Sequence, residues 1–205
     1  MIMDKLILAS KSPRRREILN MLEIPYMVFE PPEDSEIPIK NVKRVVHEVI
    51  KNSRLKAVSV YPEFRNGLIL GVDTVVVFGN RVMGKPEDEE EARFFLKALS
   101  GNTHKVYSGT TLMNVKDEKM LSRVSTTYVK FKKLSSYEID SYIDTNEWID
   151  KAGGYAIQGR ASFFIEGIVG SYYNVVGLPV ETLYYLLNRF NYFNSDGLFH
   201  PLRRL

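Results

Sequence analysis

The sequence predicts an α/β protein with a mixed, twisted central sheet, flanked by helices and divided into two lobes around a cleft. Three observations carry that prediction. A short apolar strand, LILAS at 6–10, runs straight into Ser12-Pro13, an N-cap followed by a proline suited to the first helical position. LILGVDTVVVF at 68–78 is an apolar, β-branched run suited to a strand buried on both faces. Residues 104–115 and 119–132 alternate apolar with polar around the turn Lys116-Asp117-Glu118, as an antiparallel hairpin does. A strand followed by a helix together with a hairpin makes the sheet mixed.

Taken in order, the opening MIMDKLILAS has too short an apolar run for a secretory signal and reads as the first strand. The helix that Ser12-Pro13 opens should run to about Leu22. Residues 39–60 read as a helix with apolar spacing at Val42, Val45, Val46, Val49 and Ile50. Gly79-Asn80 turns the chain after the buried strand. An acid-rich first turn at 87–91 complements a helix dipole, and Ala92, Phe95, Leu96 and Leu99 then recur at helical spacing until Gly101. Beyond the hairpin come a helix at 137–145, a Gly-rich loop at 152–160, a strand at 163–168 and a helix opened by Pro179 and ending near Phe190. Residues 1–190 thus form one domain, and 191–205 an appendage.

Composition narrows the functional classes. Lys and Arg number 28 against 25 Asp and Glu, a mild excess that favours an anionic small molecule over extended nucleic acid. With no Cys, disulfides, iron–sulfur clusters, Cys-ligated zinc and thiol nucleophiles are all excluded, and the expected compartment is the cytoplasm. No window approaches the roughly 20 apolar residues of a membrane-spanning helix. His47, His104 and His200 are scattered, without metal-ligand spacing or a Ser/His/Asp constellation.

Three places carry residues ill suited to a purely structural role. Ser10-Lys11-Ser12-Pro13-Arg14-Arg15-Arg16 sets free helix N–H groups beside cations, an arrangement that binds anions. At 100° per residue Arg15 falls near the middle of the apolar face made by Ile18, Leu19 and Leu22, with Arg14 and Arg16 to either side, whereas a solvated basic run would turn outward. Asp73, beside Thr74 inside the buried strand, must be paired, metal-bound or turned to a polar cleft, because a buried lone carboxylate costs several kcal/mol. Lys85, a cation before a helix N-terminus, fits a phosphate contact as well as a solvent-exposed lysine. Asp150-Lys151-Ala152-Gly153-Gly154-Tyr155-Ala156-Ile157-Gln158-Gly159 permits close backbone approach and offers an amide at Gln158 that can read a base. A tight turn between lobes is its plainer reading.

Read in sequence, LILASKSPRRREIL, LGVDTVVVFGNRVMGKPEDEEEARFFLKALSGNTHKVYSG and DKAGGYAIQGRASFFIEGIVGSYYNVVGLPVETL resemble the Maf family of nucleoside triphosphate pyrophosphatases. The likeness runs from about Leu6 to Leu187 and implies an inosine-triphosphatase-like fold. It further implies hydrolysis between the α and β phosphates, with Mg²⁺ or Mn²⁺. By that resemblance Ser10, Arg14, Arg15, Lys56 and Lys85 bind substrate and phosphate, and Asp73 is the catalytic base or a metal ligand. Glu36, within Glu33-Asp34-Ser35-Glu36, is taken as the second metal carboxylate. Arg15, Thr74 and Gln158 are those expected in the branch acting on dTTP and UTP rather than 7-methyl-GTP. A homodimer is the implied assembly, with no membrane and no stable nucleic-acid complex. Two rival readings are a non-catalytic regulator of cell division or septum formation, and a pyrophosphatase for a different, modified nucleotide.

Overall fold

A computed structural model describes residues 5–193. β1 (Leu6–Ala9) is wholly buried and leads into α1 (Pro13–Met21), whose inner face is Arg15, Ile18 and Leu19. β2 (Tyr26–Phe29) returns parallel to β1 at the sheet edge. α2 (Val45–Val60) precedes β3 (Leu68–Phe78), the long central strand, and β4 (Arg81–Met83) folds back on the end of β3. α3 (Glu89–Leu99) is capped by Asp88, which accepts from the Glu91 N–H. β5 (Thr103–Asn114) and β6 (Met120–Phe131) form the long hairpin. α4 (Ser136–Ile143) starts on a capping box at Ser135 and Glu138. The described chain closes with β7 (Ile165–Val169), α5 (Tyr172–Val176) and α6 (Val180–Arg189).

The seven strands of the described residues form one mixed sheet in the order β2-β1-β3-β5-β6-β7, with β4 attached to β3. β1 lies parallel to β2 and β3, whereas the remaining pairs are antiparallel. Predicted and observed elements differ where local patterning is weakest. The helix expected over 39–60 begins only at Val45, because Asn41 accepts from the Lys43 N–H and tightens the chain into a 3₁₀ turn first. The strand expected from 163 begins at Ile165, after a 3₁₀ turn over Arg160–Phe164. β2, β4 and α5 have no counterpart in the sequence reading. Of the expected appendage, residues 194–205 lie outside the described residues, and Tyr192 is buried against Leu187 and its neighbours.

The sheet is open on one side at its centre. β1 pairs with β3 only up to Ala9 opposite Gly71, and β4 takes up pairing at Val76. Residues 72–75 of β3 therefore face a gap on one edge while β5 covers the other. A polar belt crosses the core at this level: Asn52, Ser53 and Lys56 on α2, Asp73 on β3, Ser108, Thr110 and Thr111 on β5, and Thr127 on β6 are all buried. Apolar clusters lie on both sides of the belt. Leu68, Ile69 and Leu70 pack with α1, α6 and the end of α2 at one end, and Val75, Val76 and Val77 with α3, α4 and the start of α2 at the other. These ends are the two lobes, and the cleft opens where the gap in the sheet meets the belt.

Candidate active site

A cavity of about 690 Å³ occupies that cleft, within the range of small-molecule sites. Ser10, Arg14, Arg15, Glu36, Lys56, Asp73, Thr74, Lys85 and Gln158 all line it. Successive residues of a strand point to opposite faces, so Asp73 and Thr74 present their side chains on either side of the open edge.

Thr74 faces α1. Arg15, only 8% exposed, donates from Nε to the Gly177 carbonyl at 2.9 Å, from Nη1 to Ser10 Oγ at 2.8 Å and from Nη2 to Thr74 Oγ1 at 3.4 Å. Thr74 Oγ1 in turn lies 2.8 Å from Ser108 Oγ on β5. Arg14 donates to the adjacent Val176 carbonyl at 3.2 Å. Both arginines thus rest on carbonyls at the end of α5, where an α-helix leaves acceptors free. Burial pulls the Arg15 guanidinium down to about 10, against the opposing pull of Asp73 and Glu36, so it remains charged at neutral pH. Burial lowers Arg14 as well, with Glu17 and Asp150 opposing.

Asp73 faces α2. Lys56, 4% exposed, sits between two carboxylates, 3.0 Å from Asp73 Oδ1 and 2.7 Å from Glu36 Oε1, and also donates to the Val72 carbonyl at 3.0 Å. Asn52, one helical turn earlier, donates to Asp73 Oδ2 at 3.1 Å and grips the Ile37 backbone through both its N–H and its carbonyl. Burial pushes Glu36 up, but the charge and hydrogen bond of Lys56, helped by Lys85 and Arg15, hold it below the usual carboxylate range. A buried carboxylate paired and hydrogen-bonded on both oxygens meets the condition that the apolar run around it imposed.

Lys85 and Gln158 stand apart from these two networks. Lys85 pairs with Asp150 at 3.6 Å, both side chains being largely exposed. Gln158 is exposed on the cavity wall and makes no side-chain hydrogen bond among the described residues. Burial, and then the charge of Arg14, lower the neighbouring Lys151. Asn52 and the carbonyls of α5 escaped sequence reasoning. Asn52 had a readable signal, because it stands four residues before Lys56 inside the buried stripe of α2. The carbonyls had none.

Among the described residues no three His, Asp or Glu side chains gather as a metal cluster. Glu36 and Asp73 nevertheless supply hard carboxylate oxygens at one cavity wall, and Mg²⁺ is commonly held by one or two carboxylates together with substrate phosphates. The donor set fits such an ion. Among the described residues no helix is long and apolar enough to cross a membrane.

Comparison with known proteins finds relatives that match most of this chain. A dTTP/UTP pyrophosphatase of Carboxydothermus hydrogenoformans is 44% identical over 188 residues, which is 92% of this chain and 100% of that protein. A dTTP/UTP pyrophosphatase of Clostridium botulinum (strain Kyoto) is 42% identical over 88% of this chain and 94% of its own, and one from Dictyoglomus turgidum 42% over 92% and 97%. Among solved structures, the nucleoside-triphosphatase / dITP/XTP pyrophosphatase of Mycobacterium abscessus overlaps 64% of this chain and 76% of its own, with a TM-score of 0.41 and 13% identity, too little to inform the site. The sequence model of the family described as Maf-like protein matches residues 5–190, which take in both arms of the cleft and the loop that carries Gln158. On that match, and on relatives alike over at least 94% of their length, the chain belongs to the Maf family.

Proposed function

We propose that this protein hydrolyses dTTP and UTP between the α and β phosphates, giving the monophosphate and pyrophosphate. The observation that carries this reading is the cavity at the open edge of β3, where a Lys56-held Asp73 and an Arg15-held Thr74 face one space from opposite sides of the sheet. The names of the curated relatives support it.

In this reading the Asp73 carboxylate orients a water and takes its proton as the water oxygen bonds to phosphorus in line with the breaking anhydride bond, and pyrophosphate leaves. Lys56 pairs with that carboxylate through one oxygen and aims it, and Asn52 fixes its second oxygen. Ser10, Arg14, Arg15 and Lys85 receive the charge of the triphosphate, while Thr74 and Gln158 read the pyrimidine. Glu36 and Asp73 would hold Mg²⁺ or Mn²⁺, which when bound supplies neutralisation of phosphate charge. The same reading takes residues 1–190 as one catalytic domain. It also takes the protein as a cytoplasmic homodimer, on the absence of Cys and the family resemblance.

The test is pyrophosphate release from dTTP, UTP, CTP, GTP and 7-methyl-GTP, with Mn²⁺ or with chelator, for the wild type and Asp73→Asn. Expected is metal-dependent release from dTTP and UTP that falls about 10²–10⁴-fold in the variant. Folded protein that releases nothing from any of them would put the non-catalytic regulator in front. Release confined to another base would overturn the pyrimidine assignment alone.

A further inference from the structure

The turn that carries Gln158 is held from outside by two side chains that take no part in the networks around Asp73 and Arg15. Within the turn the Gly159 N–H donates to the Ala156 carbonyl at 3.1 Å. On the near side, the Ala156 N–H donates to Tyr142 Oη of α4 at 3.2 Å. On the far side, the Arg160 N–H lies 2.7 Å from Glu147 Oε1 and 3.0 Å from Oε2. Gln158 therefore sits two residues from each anchor. Both anchors come from α4 and the segment that follows it.

Glu147 is itself fixed in place. Its N–H donates to Thr145 Oγ1 at 3.2 Å, and the next residue, Trp148, is buried and donates from Nε1 to the Ile143 carbonyl at 3.2 Å. Its carboxylate fills the space beside Gly159 so closely that an added Cβ would lie 2.1 Å from Oε1. Glu147 and Gln158 also line a second, shallower cavity of about 460 Å³, together with Arg14, Glu17, Lys151, Ala156 and Gly159. The side chain that would read the base and the side chain that holds its turn thus face the same opening.

We propose that Glu147 is a positioning residue for pyrimidine discrimination, acting through Gln158, with Gly159 as the space its carboxylate requires. This rests on the reading of Gln158 as a base contact. Specificity built on hydrogen bonds to a base edge depends on placing one amide to within a fraction of an ångström, and an exposed turn supplies that only when its backbone is tied down. A backbone N–H donated to an ionised carboxylate is charge-assisted and therefore a strong tie.

The experiment compares kcat/KM for UTP and CTP in the wild type, Glu147→Ala, Glu147→Gln, Gly159→Ala, Gln158→Ala and the double variant Glu147→Ala/Gln158→Ala, each checked for folding by thermal melting. Expected is a UTP/CTP ratio about tenfold or more below wild type in Glu147→Ala and Gly159→Ala, a displacement-sized effect. Glu147→Gln, which keeps an amide oxygen for the Arg160 N–H, should restore most of the ratio. In the Gln158→Ala background, Glu147→Ala should lower the ratio no further, because the two act as one unit. Equal rate changes on both nucleotides in Glu147→Ala and Glu147→Gln would mark a charge effect and overturn the proposal, as would additive losses in the double variant. A wild type that treats UTP and CTP alike overturns the role of Gln158 and this inference with it. A wild type that discriminates while Glu147→Ala keeps its ratio overturns this inference alone.

Discussion

Arg15 is the residue whose chemistry is hardest to replace. Its guanidinium is nearly buried, yet all three of its nitrogens reach acceptors on three different segments: the Gly177 carbonyl after α5, Ser10 Oγ after β1 and Thr74 Oγ1 on β3. A lysine has one amine on a flexible stem and cannot span that set. It also starts from a lower pKa, so the same burial that brings Arg15 to about 10 would carry a lysine towards neutrality. Arg15→Lys should therefore cut dTTP kcat/KM about 100-fold at pH 8, the scale of a lost charge-stabilising donor. The gap to wild type should narrow as pH falls towards 6 and the amine regains its proton. Steady-state kinetics at several pH values checks this, and a deficit independent of pH would leave geometry as the sole cause.

At the scale of elements, the site depends on how closely α2 lies on the sheet. A Cβ on Gly71 would come within 2.1 Å of the Ser53 carbonyl oxygen, and one on Gly109, directly across from Asp73, within 2.2 Å of the Val49 carbonyl oxygen. Backbone atoms cannot swing aside as a side chain can. Gly109→Ala must push α2 outward and carry Lys56 and Asn52 away from Asp73. It should cost about 1–3 kcal/mol in denaturant melts and lower kcat by much more than its stability loss requires. Gly167→Ala on the edge strand β7, where an added Cβ meets nothing within 4 Å, is the matched control and should change little. A Gly109→Ala protein with wild-type turnover would refute the coupling. Such contacts between elements are also where sequence reading stopped. β3, α3 and the β5–β6 hairpin were legible because each carries its full period internally. β2 and β4 have only four and three residues and acquire their structure from the strands beside them, and α5 has five. Within the site, Asp73 and Arg15 announced themselves as charges among apolar neighbours. Lys56 came through the family resemblance, and Asn52, four residues before it, interrupts the same apolar stripe of α2; the fold joins the two into a polar belt with Asp73.

For the molecule as a whole, one buried titratable group couples stability to pH from outside the Asp73 and Arg15 networks. His104 is 1% exposed, its Nε2 lies 2.7 Å from Tyr155 Oη, and its ring stands edge-on to Phe131 and Tyr155. Its Nδ1 is buried without a partner among the described residues, so the charged imidazolium, which carries an N–H on both nitrogens, would leave that one without an acceptor. Burial lowers the imidazole from its ordinary 6.5 to about 4. In that interval the unfolded chain binds a proton that the folded chain refuses. Stability from this source is complete above about pH 6.5 and drains away as pH falls towards about 4, reaching roughly 3 kcal/mol in all. More than half of it is gone by pH 5 on the same linkage. Denaturant melts from pH 8 to pH 5 should show wild type losing stability with a steeper slope than His104→Phe, which has no proton to gain, even if the variant starts lower because Tyr155 has lost its partner. Parallel slopes in both proteins would assign acid sensitivity to the carboxylates instead.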